Sequence, residues 1–338
     1  MKWTLSELLP HLIHDFKSEQ DLIRAIDEVS TNFTKNRKDI NDYLNDPRLV
    51  SAYTIFYLLT NMPKLQSVFH WLPTEWIDLI KKADFIDLGA GPGTFTFAMK
   101  GLGASGSFYQ VEKSTLMKNQ ARKIWDAFYQ GPLHQSDRWC WTTDRQKILL
   151  FGHSANEMGS KAAIEYIEKI APEHVLFIEP GTKEFFSEML AIRDYLLSKK
   201  YNILFPCSKE TPCPMSGSQD WCHQFIRVKH DDEIERISQM AKKDRKLLPL
   251  TVQAFSKTFS YRNPEERLVR VLPETKFSHE WVVCNSNSLV NYQIMKRDMD
   301  KKQSRALGDI QAGEAVLTNV IKIVDRTKRV KLKEIIKF

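Results

Sequence analysis

The sequence contains no uncharged apolar run approaching about eighteen residues, so we expect no membrane-spanning helix and no membrane partner. It has only five cysteines in 338 residues, too few for a disulfide framework, and we therefore expect a reducing compartment. The N-terminal segment is broken by Pro10 and carries acidic residues, unlike an arginine-rich, acid-poor transit peptide. With 42% apolar residues the chain is expected to be globular, with one large or two ordinary domains.

Positive charge is concentrated in the C-terminal third. The net charge is +7, but from Arg227 to Phe338 there are 24 Lys or Arg against 15 Asp or Glu, which leaves residues 1–226 at about −2. Three clusters stand out: KKDRK at 242–246, KRDMDKKQSR at 296–305 and RTKRVKLK at 326–333. Any one cluster fits a solvated basic face equally well. Their confinement to one region favours contact with nucleic acid phosphates.

The first eighty residues have a helical pattern. Thr4 and Glu7 have the spacing of a capping box, and the apolar residues after them recur on one face. A second helical pattern, SAYTIFYLLTNM, is expected to end near Pro63. We therefore predict an N-terminal helical region over residues 1–80.

From residue 81 the pattern changes to short apolar runs that alternate with helix-compatible segments such as KSTLMKNQARKIWDAF. The apolar runs are FIDL (85–88), FYQV (108–111), ILLF (148–151) and VLFIE (175–179). This alternation predicts an α/β domain with a parallel, helix-flanked sheet over residues 81–202. After residue 202 the sequence becomes irregular, with prolines and cysteines. We predict a second module over 203–338, part of which completes the sheet.

The loop in FIDLGAGPGTFTFAMKG lacks the third glycine of a dinucleotide-binding fingerprint. Gly89, Gly91 and Gly93 alternate, and Thr94 stands where G-x-G-x-x-G requires glycine. Asp87 precedes the loop, and a carboxylate beside a pyrophosphate would repel it. The loop therefore favours a cationic ligand over a phosphate.

An acidic residue at the end of the second predicted strand indicates which ligand this loop binds. Glu112 follows FYQV, in the place where a carboxylate hydrogen-bonds ribose hydroxyls in doubly wound sheets. Together with Asp87 and the close-approach glycines, it fits S-adenosylmethionine and resembles motif I of the class I methyltransferases. The predicted cofactor-binding residues are Asp87, Gly89, Ala90, Gly91, Gly93 and Glu112.

No clear acceptor-binding motif follows the fourth predicted strand. The Asn/Asp-Pro-Pro-aromatic element of amino-methylating enzymes is missing, and the segment reads FGHSANEMG. Asn156 and Glu157 are weak catalytic candidates, with Glu157 as a base if its pKa is raised. Capping of the next helix explains these two equally well, and it is the favoured role for Ser154.

Three cysteines lie close together in FPCSKETPCPMSGSQDWCHQFIR. Cys207, Cys213 and Cys222 lie among prolines and polar residues, which disfavours buried inert thiols, and Cys207 comes too late in the fold for a pyrimidine-methylating nucleophile. A metal site remains, completed by Cys284 or His223. Zinc accepts either set, while four thiolates suit an iron–sulfur cluster.

Several segments in order, DLGAGPGT, VE, FIEPGT, WCH and VVC, resemble the methyltransferase-like family of small-ribosomal-subunit proteins of bacteria and mitochondria. The resemblance covers roughly Asp42 to Asp309. It implies a class I methyltransferase (Rossmann-like) fold with an added cysteine-rich metal-binding module, a 4Fe-4S cluster, and a role in assembly of the small subunit on its rRNA. Matched to this sequence, the implied ligands are Cys207, Cys213, Cys222 and Cys284, and Cys140 is an ordinary thiol.

We therefore predict a protein that binds S-adenosylmethionine and small-subunit rRNA during ribosome assembly, with a structural 4Fe-4S cluster. The partners would be the rRNA and assembly intermediates, and the free protein would be a monomer. The cytoplasm is the first expectation for its location and the mitochondrial matrix the alternative. One alternative function is an active rRNA methyltransferase with structural zinc. Another is a small-molecule methyltransferase.

Overall fold

The computed structural model describes residues 3–35, 45–285, 287–307, 310–324 and 327–336. Both ends of the family resemblance, Asp42 and Asp309, lie outside these residues, as does Arg326 of the third basic cluster. No helix in the described ranges is long and apolar enough to cross a bilayer.

The N-terminal region is helical, as predicted. Its helices are α1 (Leu5–Leu8), α2 (Glu19–Lys35), α3 (Pro47–Tyr53), α4 (Leu59–Phe69) and α5 (Thr74–Ile80), with a 3-10 turn at Leu9–His11 and a π-helical turn at Thr54–Leu58. The predicted capping box is confirmed: the Thr4 N–H donates to Glu7 Oε2 at 2.8 Å, and the Glu7 N–H donates to Thr4 Oγ1 at 3.3 Å.

The prediction that the second helix ends near Pro63 is wrong. Helix α4 continues through Pro63 to Phe69. Proline in a helix interior costs about 3 kcal/mol because it lacks an N–H and its ring meets the preceding turn. Burial of apolar side chains beyond it, including Leu65 and Val68, offsets this cost.

The central domain contains the predicted strands and helices. The first five strands are β1 (Asp84–Leu88), β2 (Phe108–Val111), β3 (Leu133–Ser136), β4 (Lys147–Gly152) and β5 (His174–Pro180). The helices are α6 (Thr94–Gly101), α7 (Thr115–Phe128), α8 (Ala155–Ile170) and α9 (Lys183–Ser198). The short edge strand β3 has no clear apolar run and was not predicted.

Strands from later in the chain complete this sheet. They are β6 (Asn202–Phe205), β7 (Gln224–Arg227) and β8 (Leu247–Ser256), with α10 (Asp232–Met240) between the last two. The sheet order is β3-β2-β1-β4-β5-β8-β6, and β7 also pairs with β8. The first five strands are parallel, while β8 is antiparallel to β5 and β6. This mixed, mostly parallel order is that of the class I methyltransferase sheet.

Helices cover both faces of the sheet. One face carries the N-terminal helices with α6 and α7, around buried side chains such as Phe56, Trp76 and Trp125. The other face carries α8 and α9, around side chains such as Phe151 and Phe177. The carboxyl ends of β1, β2, β4 and β5 therefore meet at one edge between two helical layers, which is where such sheets bind ligands.

The C-terminal part forms a small barrel. Its elements are β9 (Arg267–Val271), β10 (Ser278–Cys284), β11 (Leu289–Met295), α11 (Lys301–Leu307), β12 (Ala315–Val324) and β13 (Thr327–Ile336), with a 3-10 turn at Lys296–Asp298. The strands close in the order β10-β11-β13-β12-β9, with β11 parallel to β13. This is the Greek-key arrangement of an OB-fold barrel. The segment after residue 202 is thus more regular than its sequence suggests.

Candidate functional site

The glycine loop lies between β1 and α6, at the carboxyl edge of the sheet. Gly89, Gly91 and Gly93 have left-handed backbone, with φ of +68°, +53° and +92°. A Cβ at Gly89 would lie 2.6 Å from the Cβ of Ser154, and one at Gly93 would meet a side chain at 2.7 Å. A Cβ at Gly91 would meet no atom within 4 Å. The loop is therefore packed at both ends and open in the middle.

Glu112 contacts this open part of the loop. Its Oε2 accepts from the Gly91 N–H at 2.8 Å, and its Oε1 accepts from the Ser114 N–H at 2.8 Å. The buried Ala90 ties the loop to β2 through an N–H that donates to the Val111 carbonyl at 3.4 Å. A carboxylate has about four lone-pair positions, so Glu112 retains acceptor capacity for ligand hydroxyls.

Asp87 lies beneath the loop. It is buried, and its Oδ2 accepts from the Thr96 N–H at 3.0 Å and the Thr96 hydroxyl at 2.8 Å. Burial raises the pKa of Asp87 to about 7, although the hydrogen bonds from Thr96 oppose this shift. Asp87 therefore anchors the first turn of α6, and its contact with a ligand stays a prediction.

The predicted catalytic residues begin helix α8, opposite the N-terminal helices. Asn156 is half-buried and Glu157 is exposed. Tyr53 lies near enough to both carboxylates, Glu157 and Glu112, for their charges to add to the burial that raises its pKa. The half-buried Tyr53 phenol thus lies within electrostatic reach of Glu112 at the glycine loop and of Glu157 at the start of α8.

The four predicted cysteine ligands line one cavity of about 40 Å³. Cys207 and Cys213 follow β6, Cys222 precedes β7, and Cys284 ends β10 of the barrel. Burial raises the pKa of the Cys222 thiol, and the charges of the other three thiolates raise it further. Cys140, predicted to be an ordinary thiol, is exposed and does not line this cavity.

These side chains do not form a preassembled metal site. Across the described residues, no group of three or more His, Cys, Asp or Glu is arranged to hold a metal ion. The metal-binding character predicted for the C-terminal module is therefore not shown by the structure. The thiols share a cavity without converging on a single point within it.

Two buried arginines line the same cavity. Arg193 from α9 and Arg267 from β9 are 2% and 6% exposed. Burial lowers the pKa of Arg193, but the charge of the Cys207 thiolate and the hydrogen bond between the two side chains outweigh this effect and raise the pKa overall. Burial lowers the pKa of Arg267 to about 10 against the nearby thiolates. The cavity is therefore suited to negative charge.

A family described as the mitochondrial small ribosomal subunit Rsm22 matches residues 49–302, about three quarters of the chain. The chain belongs to this family. No curated protein sequence matches it.

Several solved structures resemble this Rsm22-family chain at low sequence identity. Magnesium protoporphyrin IX methyltransferase from Synechocystis with bound SAM is 11% identical, with a TM-score of 0.39, covering 72% of this chain and 99% of that one. TrmK from M. capricolum with S-adenosylhomocysteine is 10% identical, with a TM-score of 0.32 and coverage of 58% and 74%. Ribosomal protein L11 methylase from Lactobacillus delbrueckii subsp. bulgaricus is 13% identical, with a TM-score of 0.30 and coverage of 53% and 73%.

In this Rsm22-family chain, Glu179 is a site residue that the sequence reasoning missed. It lies in β5 and is fully buried. Its carboxylate accepts from the N–H groups of Ser154, Ala155 and Asn156 at 3.0, 2.9 and 3.3 Å. Burial raises the pKa of Glu179 to about 8 against these hydrogen bonds. The sequence does contain one indication of this role, because Glu179 ends a predicted strand within FIEPGT.

The expected capping role of Ser154 is wrong in one respect. Ser154 occupies the N-cap position of α8, but its hydroxyl makes no capping bond and is buried without a hydrogen-bond partner. The side chain of Glu179 accepts from the first N–H groups of α8 instead. An acceptor is needed there because the first N–H groups of a helix have no partner within the helix.

A second missed feature is a pair of basic nitrogens. Lys64 Nζ, from buried α4, lies 2.7 Å from His153 Nε2, directly after β4. Burial lowers the pKa of both side chains, and the Lys64 charge lowers that of His153 further. His153 also has a φ of +63°, a conformation that costs a non-glycine residue energy. The contact joins residues 89 positions apart, so no local pattern could indicate it.

Replacing Glu179 with alanine should destabilise the protein by about 2 kcal/mol, because three buried N–H groups lose their acceptor. Glu179→Gln keeps an acceptor oxygen and should cost less. Urea unfolding at pH 7 measures both. Equal stability of wild type and Glu179→Ala would show that α8 does not depend on this carboxylate.

The pH dependence should identify Glu179 as well. Its folded-state pKa of about 8 lies above the ordinary glutamate value of 4.5, so the folded protein binds an extra proton between these two pH values. Wild-type stability should therefore fall relative to Glu179→Gln as the pH rises from about 5 to 8. Parallel stability profiles of the two proteins across this window would contradict the assignment.

Proposed function

We propose that this Rsm22-family protein binds S-adenosylmethionine at the glycine loop and acts on small-subunit rRNA during ribosome assembly. Its partners are then the rRNA and assembly intermediates, and it is a monomer when free. The family's description names the mitochondrial small ribosomal subunit, which favours the matrix over the cytoplasm as its location.

The observation that carries this proposal is the contact between Gly91 and Glu112. It joins a loop with an open backbone face to a carboxylate with spare acceptor positions, at the carboxyl edge of parallel strands. A nucleoside with two ribose hydroxyls and a positive charge fits this arrangement better than a phosphate does. Glu112 would accept from the ribose hydroxyls, and Asp87 beneath the loop would favour a ligand that carries positive charge.

Residues at the mouth of the loop would orient an acceptor. When bound, S-adenosylmethionine supplies an electrophilic methyl group. Glu157 is exposed at the start of α8 and its charge acts on Tyr53, so Glu157 would serve as the base while Tyr53 and Asn156 would orient the acceptor. An active rRNA methyltransferase is therefore the main alternative to an assembly factor that binds the cofactor without turnover.

For the cysteine cavity we propose a structural 4Fe-4S cluster held by Cys207, Cys213, Cys222 and Cys284. The support for this proposal is that all four thiols line one cavity, and four thiolates are the ligand set that a 4Fe-4S cluster takes, with zinc as the alternative. A cluster with four thiolate ligands is anionic. Its charge would be favoured beside the buried guanidinium groups of Arg193 and Arg267.

The RNA assignment is supported by charge and by the barrel. The C-terminal third has a net charge of +9, and the barrel has the strand order of an OB-fold, a scaffold that binds oligonucleotides in other proteins. The barrel's relation to oligonucleotide-binding proteins is an analogy of fold. A small-molecule methyltransferase, the second alternative, needs neither feature.

The cofactor site can be tested with two glycines of similar backbone. Gly91→Ala should weaken S-adenosylmethionine binding at least about tenfold, because the new methyl group occupies the open face of the loop. Gly103→Ala is the control, since its φ of +90° carries the same kind of strain and its Cβ also meets nothing within 4 Å. Isothermal titration measures both. Equal losses in the two variants would reject the loop as the binding site.

Anaerobic purification should yield a coloured protein with iron and sulfide in equal amounts. Cys222→Ser should lose the visible absorption and most of the iron, whereas Cys140→Ser should keep both, because Cys140 is exposed and outside the cavity. A colourless protein containing zinc would favour the alternative metal. Full iron content in Cys222→Ser would refute the ligand set.

RNA binding and turnover can be separated in one preparation. The protein should retain immature small subunits or their rRNA with a steep loss of affinity as salt rises, since several phosphate contacts release counterions. A shallow salt dependence would favour a small-molecule substrate. Single-turnover transfer of labelled methyl groups to the rRNA, abolished in Gly91→Ala, would establish the active enzyme over the pure assembly factor.

A further inference from the structure

The barrel has an exposed edge strand. On one side β12 pairs with β13 along its length, but on the other it pairs with β9 only at Ala315, opposite Arg267. No strand among the described residues pairs with the outer edge of residues 317–324. We call these eight residues the β12 edge. An unpaired edge of this length, about 26 Å, is a template for another strand.

The β12 edge is also unusually apolar. Its exposed large apolar side chains are Leu317 (45%), Val320 (50%), Ile321 (54%), Ile323 (62%) and Val324 (49%). Residues 319–324 are exposed consecutively, so side chains on both faces of the strand meet solvent. An arriving strand could therefore pack its own side chains on either face while its backbone pairs with the edge.

Most charge around the β12 edge is positive, although Glu334 lies opposite Leu317 and the Thr318 hydroxyl donates to Glu266. Residues 318–324 and 327–333 contain four lysines and Arg329 and no Asp or Glu. Lys322 lies directly opposite Arg329 in the β12–β13 pairing. Like charges in this position destabilise a sheet, and the Arg329 contact with Asp298 relieves only part of the repulsion. An acidic partner would relieve the rest.

We propose that the β12 edge binds an extended, acidic segment of a partner protein, which adds a strand to the barrel and places apolar side chains beside Ile321 and Ile323. A second copy of the same edge would bring Lys322 against the same basic surface. RNA fits the β12 edge less well than a peptide strand does, because it cannot pair with the backbone edge as a strand would. Sheets that bind bases also use aromatic side chains, whereas the exposed side chains here are aliphatic.

A labelled peptide of about ten residues that alternates Val and Glu tests this proposal on the full-length protein. It should bind wild type with an affinity that falls as salt rises, and slow hydrogen exchange of the amides of residues 317–324. Ile323→Lys should weaken binding at least about tenfold. Lys322→Glu should weaken it similarly by reversing the local charge.

The control variant is Phe277→Lys, which replaces another exposed apolar residue of the barrel, 65% accessible, outside the β12 edge. It should bind the peptide like wild type. Circular dichroism and S-adenosylmethionine binding check that each variant is folded.

Four outcomes would overturn the proposal. They are no binding of the acidic peptide by wild type, equal binding of a Val-Lys peptide, and equal losses in Ile323→Lys and Phe277→Lys. The fourth is binding of polyuridine, or concentration-dependent dimerisation, that Ile323→Lys abolishes, because these would identify RNA or a second copy as the occupant.

Discussion

Backbone N–H groups at the carboxyl edge of the sheet need acceptors, and three carboxylates supply them. Asp87 accepts from the first turn of α6, Glu112 from the loop at Gly91, and Glu179 from the start of α8. Each carboxylate lies at or near the carboxyl end of a different strand. Because these bonds fix the loop and both helix starts relative to the sheet, the shape of the proposed cofactor site depends on them.

Burying carboxylates at this edge of the sheet disfavours their charged forms. Burial raises the pKa of Asp87 to about 7 and that of Glu179 to about 8, so both carboxylates are less stable as anions than in water. Burial also disfavours the charged forms of Lys64 and His153, and it lowers the pKa of both side chains. A ligand with a positive charge near Asp87 and Glu112 would be favoured over a neutral one. The charge of S-adenosylmethionine is thus part of the argument for it.

The sequence predicted the parts of the molecule that rest on local patterns. The strands at 85–88 and 108–111 and the helix through Trp125 are all found. The predicted role of Glu112 in binding a ribose stays a prediction, although the structure does place its carboxylate at the glycine loop. Pairings between distant segments could not be predicted. Lys64 and His153 meet only after folding, and the parallel pairing of β11 with β13 joins segments that no local pattern connects. Pro63 was misleading because burial outweighs its local cost.

The cysteine cavity lies where the barrel meets the methyltransferase-like domain. Apolar packing at this junction is modest, with Phe186 and Met215 on one side and Val269 and Val282 on the other. Cys284 comes from the barrel and the other three cysteines from the segment beside the sheet. A centre bound by all four would therefore tie the barrel to the domain more firmly than the apolar contacts do. If the basic barrel meets RNA, the orientation of that surface relative to the cofactor loop would then depend on the metal.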